Sequence, residues 1–443
     1  MFTSLFILVY YFVFLFKHKD KTYYYIYHLC VLLFGAFLCT KVEPATSSYV
    51  YHVMAIGFFL PIIPYLRKYF YFILVSFAIL LIYILLKIAG WHIDAIRMFM
   101  DLRISIYAVC FGLSMVENIK RGLLDTKRFV KWIYILVFIQ IVLAIFQYLV
   151  PSSGGFFVAV DEDSGLDAAE KAIKLNMTIL TGTLMTPAAL AGLIVASLFA
   201  LIPYELENKC VTFPKVLFVF LSVAVAFLTG IRAPFIYFVL FIALYFFIYQ
   251  RKWFYSLLPI FALIIIAFGT SVQIGQEGAV RRMLDGFDQA FSGRGSLEET
   301  TLGFSLVMIP YFLQNPLFGI SLGANGYYII GGYALADLST TDVYLMYMLC
   351  EYGLLGLLVF LYPFFWFRTI SAKVNNSPVI VKTTAVLLYV AFGICLSIVD
   401  KGIFHYQEMM LLIIGIILFS NNTQKKCVVA RTADRNDNAT NNS

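Results

Sequence analysis

The chain has 443 residues, of which 62% are hydrophobic and 13% charged, with a formal net charge of +7. A soluble domain carries about 25% charged residues, so a mean hydropathy of +0.87 excludes an ordinary water-soluble fold and points to a polytopic membrane protein. The positive excess belongs to the basic turns of such a protein, not to a nucleic-acid surface, and no nucleic-acid partner is expected.

Apolar runs of spanning length, about 15–25 residues each, fall at 2–16, 22–40, 48–66, 69–90, 98–116, 129–150, 179–202, 215–230, 233–249, 253–270, 342–365, 384–400 and 404–420. They predict an all-α fold: a helical membrane bundle of about 12–13 spans. The first run starts at Met1 without a small-residue cleavage site, so it reads as a retained span. A single transmembrane domain over 1–420 is followed by a tail, 421–443, whose Asn, Thr and charge without periodicity predict disorder.

Basic residues set the orientation. Residues 17–21, Arg67 and Lys68, the run 120–131, Lys209 and Lys215, Arg251 and Lys252, the stretch 368–382 and the tail hold most of the 32 Lys and Arg residues. All fall on one side when the spans alternate, and that side, with the C-terminus, is expected to be cytoplasmic. The opposite side receives residues 151–178, the turn TGIRAP at 229–234, the long loop 271–341 and the turn at 400–408. In 151–178, an acidic stretch precedes a short helix expected over Ala168–Leu175. A loop of roughly 70 residues is far longer than a connection needs, and long loops on rigid scaffolds carry function. It is expected to face outward and to contain short helices.

The seven cysteines form no CxxC pair and lie mostly in apolar runs, where they act as small buried hydrophobes. The five histidines are scattered, so neither a metal nor a cofactor is expected. There is no Walker loop, GxSxG or HExxH, and no internal repeat of the kind many transporters carry.

The candidate chemistry lies among charges placed at membrane depth, where a charge is costly. Arg232 sits in a short turn between two apolar runs, shaped by Gly230 and Pro234. Arg294, between Gly293 and Gly295, can approach a ligand closely and offers a planar fork for phosphate oxygens. Arg281 and Arg282 open an amphipathic stretch. Asp342 follows Ser-Thr-Thr where the long loop re-enters the membrane, as a first-turn acid or as a base acting on a hydroxyl. Glu351 lies deep in the same helix and needs a partner from an arginine or a hydroxyl. His405 stands with Asp400, Lys401 and Glu408 at another outer turn. Near the end of the fourth run and the start of the fifth lie Lys87, Asp94, Arg97, Asp101 and Arg103. Lys87 is expected to snorkel, and Asp101 to pair with Arg97 at i, i+4.

Four stretches, in order, carry a resemblance. FLTGIRAPFI resembles a "TGSR" turn, SGRGSLEET supplies an arginine, FLQNPLFGISLGANG resembles an "NPlfGiGxG" signature, and TTDVYLMYMLCEYGLLGLLVF resembles a re-entry helix with an "ExGllG" pattern. Spread over 221–360, they resemble the Wzy-type polysaccharide polymerases and the related O-antigen ligases of bacterial envelopes. The resemblance implies a metal-independent glycosyltransferase in the bacterial inner membrane. Its donor would be an undecaprenyl-pyrophosphate-linked oligosaccharide, and its product O-antigen, capsule or exopolysaccharide. Arg232 and Arg294 would engage the pyrophosphate. Pro316, Gly319 and Gly323 would shape the loop. Asn325, Tyr327 and Tyr328 would contact glycan. Asp342 stands where ligases commonly carry His followed by Asn, a departure that favours polymerase over ligase. A ligase, or a flippase or transporter, is the alternative reading. A chain-length regulator and a flippase are the partners the resemblance implies.

Overall fold

The computed structural model describes residues 2–42, 48–88, 95–150, 180–184, 187–208, 212–229, 232–249, 309, 312–319, 328–330, 333–335, 344–375, 379–396 and 406–420. The protein is an all-α helical bundle. Its helices are α1 (Phe2–Phe12), α2 (Thr22–Cys30), α3 (Ala36–Val42), α4 (Ser48–Phe59), α5 (Leu66–Ile88), α6 (Ala95–Lys120) and α7 (Thr126–Leu149). They continue as α8 (Pro187–Asn208), α9 (Phe213–Leu228), α10 (Arg232–Tyr249), α11 (Tyr344–Asn375) and α12 (Val379–Leu396), then α13 (Tyr406–Ser420). Two three-residue strands, β1 (Tyr328–Ile330) and β2 (Tyr333–Leu335), pair antiparallel within the long loop. This hairpin was not expected in a loop thought to hold short helices.

Among the described residues, six helical segments are long and apolar enough to cross a membrane: Thr22–Cys39, Tyr49–Ile88, Met98–Lys120, Thr126–Leu149, Ala189–Asn208 and Met348–Ile370. Shorter apolar helices cover Phe2–Lys17, Phe213–Ala226, Tyr237–Phe247, Thr383–Ile394 and Tyr406–Ser420. The 40 residues of Tyr49–Ile88 would reach roughly 60 Å as one rod, twice a bilayer core. They instead bend at the 3₁₀ stretch Leu60–Tyr65, which contains Pro61 and Pro64. Proline removes a backbone donor and breaks the helical ladder. Tyr65, Lys68 and Tyr69 reach Glu117 and Asn118 at one end of α6. Tyr51 and Lys87 reach Tyr406 and Glu351 toward the other end. The two arms therefore run in opposite directions, as the separate runs 48–66 and 69–90 predict.

Helix α6 is the hub, packed against α4, α5 and α11. Its Leu102, Ile106, Val109, Cys110, Leu113 and Val116 are buried. A helix buried on nearly all sides, as α6 is over 102–118, belongs in a bundle's centre, whereas one that shows Leu74, Leu81, Ile82 and Leu85 on its surface, as α5 does, has a face suited to lipid.

Four of the described basic residues, Lys21, Lys68, Arg128 and Lys215, gather at one end. The Lys21 amide bonds Leu123 O at 2.8 Å. Arg128 pairs with Asp20 at 2.9 Å, Lys68 with Glu117 at 2.5 Å, and Lys215 with Glu205 at 2.5 Å. Asp125 caps α7 by accepting from the amides of Lys127 and Arg128 at 3.0 and 3.2 Å, a carboxylate at a helix N-terminus as the dipole favours.

Candidate functional site

At the opposite end, α11 is not one continuous helix. Gly353 has φ 65° and ψ −174°, a conformation essentially reserved for glycine. The break removes the normal partners of backbone groups on both sides, and these groups must be satisfied inside the bundle. On the far side, the amides of Leu354 and Leu355 donate to Pro316 O at 2.9 Å and Leu317 O at 3.0 Å. On the near side, Glu351 O accepts from the Lys87 ammonium, and Tyr352 O accepts from the Tyr83 hydroxyl at 2.5 Å.

The partner of the break is the turn Asn315–Gly319. Asparagine followed by proline favours a turn, and here the Asn315 side chain accepts from the Phe318 amide at 3.3 Å while its carbonyl accepts from the Gly319 amide at 2.7 Å. Gly319 closes the turn at φ 71°. Two glycines make the docking possible. A Cβ on Gly319 would lie 2.5 Å from Cys350 O and 2.6 Å from Glu351 O. One on Gly353 would lie 2.4 Å from Leu317 O and 2.5 Å from Gly319 N. The turn thus clasps the broken helix backbone to backbone, and Tyr83 stacks on Phe318 with ring centroids 6.4 Å apart.

Charge collects around this clasp. Lys87 and Glu351 are both buried, they interact electrostatically, and the Lys87 ammonium lies 5.1 Å from the centre of the Tyr352 ring. The Tyr352 hydroxyl donates to Asp101 Oδ2 at 2.5 Å. Two expectations are corrected here. Lys87 does not snorkel: at 1% exposure it turns inward, because the broken helix offers it a freed carbonyl and a carboxylate. Asp101 bonds to Tyr352 on α11, so it ties two helices together and is not confined to a pair along its own helix. The Arg97 side chain and Asp94 lie outside the described residues. Glu351, expected to need an arginine or a hydroxyl, lies within electrostatic reach of Lys87.

A second irregular stretch lies deep in the bundle. A continuous span was expected over 179–202, but α8 begins at Pro187, and residues Leu180–Thr183 are buried and non-helical. Their backbone groups are met by two glutamines of α7. Gln147 accepts from the amides of Thr181 and Gly182 at 2.9 and 3.0 Å. Gln140 accepts from the Thr183 amide at 2.9 Å and donates to its hydroxyl at 2.7 Å. That hydroxyl donates onward to Leu33 O at 2.6 Å, and Gln407 donates to Leu32 O at 2.8 Å. Both carbonyls belong to the π-helical turn Val31–Gly35, whose wider winding frees them. Sequence reasoning missed this network. Its one signal is the pair of glutamines seven residues apart on an otherwise apolar run, which share a helix face.

Of the sequence-predicted residues, the structure brings together Pro316, Gly319 and Glu351. Arg232 is the first residue of α10, a position at the helix start rather than within a turn. Tyr328 opens β1. Arg281, Arg282, Arg294, Gly323, Asn325, Tyr327, Asp342 and His405 lie outside the described residues, as does the helix expected over Ala168–Leu175. The clasp holds the first half of α11, and Asp342 stands two positions before that helix in the chain. No known protein family, curated protein or solved structure matches this chain.

Proposed function

We propose that the protein is a polysaccharide polymerase of the Wzy type, which joins undecaprenyl-pyrophosphate-linked repeat units on the outer face of a bacterial inner membrane. One observation carries the reading. Two of the stretches on which the resemblance rests, NPLFG and CEYGLLG, are in direct backbone contact through Pro316, Leu317, Gly319 and Gly353. Motifs separated by some thirty residues of loop act as one structural unit, as parts of one site would. The gathering of Lys21, Lys68, Arg128 and Lys215 at the other end of the bundle supports an outward orientation for this end.

In the reaction, the acceptor hydroxyl forms a bond to the anomeric carbon of the donor glycan as the bond from that carbon to the lipid pyrophosphate breaks. The carbon gains positive character and the departing pyrophosphate gains negative charge, so fixed cations at the leaving group lower the barrier. Arg232 and Arg294 fill that role. Asp342 positions the acceptor and takes its proton. Asn325, Tyr327 and Tyr328 contact the glycan.

The test is polymerisation in proteoliposomes with a lipid-pyrophosphate-linked repeat unit, comparing wild type with Arg232→Ala, Arg294→Ala and Asp342→Asn. A product ladder from wild type, lost in the arginine variants, is the expected result. Transfer of finished polymer to a lipid-anchored core without chain extension would decide for a ligase. Movement of glycan across the bilayer without product would decide for a transporter.

A further inference from the structure

Most buried charges described here meet an opposite charge. Glu117 has Lys68, Glu205 has Lys215, and Lys87 has Glu351. Arg103 is different. It is 8% exposed, and among the described residues it makes no ion pair. One terminal nitrogen contacts the Met100 sulfur, its Nε–H is buried without a hydrogen-bond partner, and its guanidinium carbon lies 5.7 Å from the centre of the Phe99 ring and 5.5 Å from that of Tyr107.

Aromatic faces stabilise a cation by about 0.5–2 kcal/mol each, less than the several kcal/mol that removing a charge from water costs. Asp101, two positions along the same helix, accepts from Tyr352, and its charge reaches Tyr406 as that of Arg103 does, but it forms no ion pair with Arg103, whose side chain leaves the helix on another face. Around Arg103 stand the groups that its charge reaches: Tyr107 on α6, Tyr406 on α13 and His52 on α4. Tyr406 is stacked on Tyr51 at 6.4 Å. His52 and Tyr51 are exposed, so the cluster runs from the surface of the bundle to a buried cation.

We infer that Arg103 and its aromatic surround, formed by Phe99, Tyr107, Tyr406 and Tyr51, form a binding site for the phosphate headgroup of an anionic lipid. A guanidinium with an unused N–H is a planar donor suited to phosphate oxygens. The surround is aromatic, with phenol groups that suit a membrane interface, where one part of a ligand is polar and the rest apolar. A phosphate attached to acyl chains gains from that surround, whereas a bare ion must lose its water there without compensation. The inference stands on this cluster and does not depend on the polymerase reading.

The experiment uses the full chain in an uncharged maltoside detergent, with the thermal midpoint followed on addition of phosphatidylglycerol, phosphatidylcholine or inorganic phosphate. Wild type, Arg103→Met and Arg103→Lys are compared. Phosphatidylglycerol should raise the wild-type midpoint by on the order of 5 °C, with phosphatidylcholine and inorganic phosphate well behind. Arg103→Lys should keep part of the shift and Arg103→Met none. Without additive, Arg103→Met should melt at or above wild type, because it removes a charge held without a partner. A phosphatidylglycerol shift of equal size in Arg103→Met would overturn the site. So would a lower midpoint for Arg103→Met without additive. An equal shift from inorganic phosphate would overturn the lipid as its source.

Discussion

Two of the interruptions of helical backbone among the described residues, at Gly353 and at residues 180–184, are satisfied by different means. At Gly353 the broken helix meets another piece of backbone: Pro316 O and Leu317 O accept from the freed amides of α11. At residues 180–184 the irregular segment meets side chains, the amides of Gln140 and Gln147. The first solution needs close approach and therefore glycine. The second needs reach and therefore long polar side chains on a neighbouring helix. A backbone clasp fixes one relative position of two segments, because neither side has rotamers to adjust. A side-chain clasp leaves both glutamines rotamers through which they can follow a moving segment.

The largest expected effect breaks the first clasp. Gly353→Ala combines a glycine-only conformation with a Cβ 2.4 Å from Leu317 O, and should lower stability by about 4 kcal/mol. The measurement is unfolding by SDS titration in mixed micelles. The second clasp is tested by Gln147→Leu, which leaves the buried amides of Thr181 and Gly182 without their acceptor and should cost about 3 kcal/mol. Lys87→Met removes the donor to Glu351 O and the cation beside its carboxylate, for a loss of about 2 kcal/mol. Adding Glu351→Gln to Lys87→Met should recover about 1 kcal/mol, since the two residues are coupled. The smallest change is the control. Gly122 also has positive φ, 68°, but a Cβ there meets nothing within 4 Å, so Gly122→Ala should cost only about 1 kcal/mol. A Gly353→Ala loss no larger than that of Gly122→Ala would remove the backbone clasp from the account.

The two interruptions also differ in how far sequence reveals them. NPLFG and EYG are local signals: asparagine and proline bias the chain toward a turn, and glycine permits the positive φ that Gly319 and Gly353 adopt, so a turn at Pro316–Gly319 is readable. The apolar runs likewise predicted an all-α bundle, and even the fused helix Tyr49–Ile88 resolves at Pro61 and Pro64 into the two expected runs. What the sequence does not display is pairing across distance. Lys87 lies 264 positions from Glu351, and nothing near it says that a helix break will present a carbonyl there. Its place at a helix end suggested snorkelling, and tertiary contact prevailed. Thr183, Leu33, Gln140 and Gln407 come from four separate segments, so their network exists only once the bundle is packed. The apolar composition of 179–202 suggested a continuous span for the same reason: burial, not helicity, is what composition records.

The clasp and the proposed reaction meet in one measurement: product ladders from proteoliposomes containing equal amounts of folded wild type, Gly319→Ala, Gly353→Ala, the double variant and Gly122→Ala. If the clasped turn and helix act together on a lipid-linked donor, each clasp variant loses the ladder. The double variant is then no worse than either single one, and Gly122→Ala extends chains like wild type. Ladders of wild-type length from folded Gly319→Ala and Gly353→Ala would contradict the account.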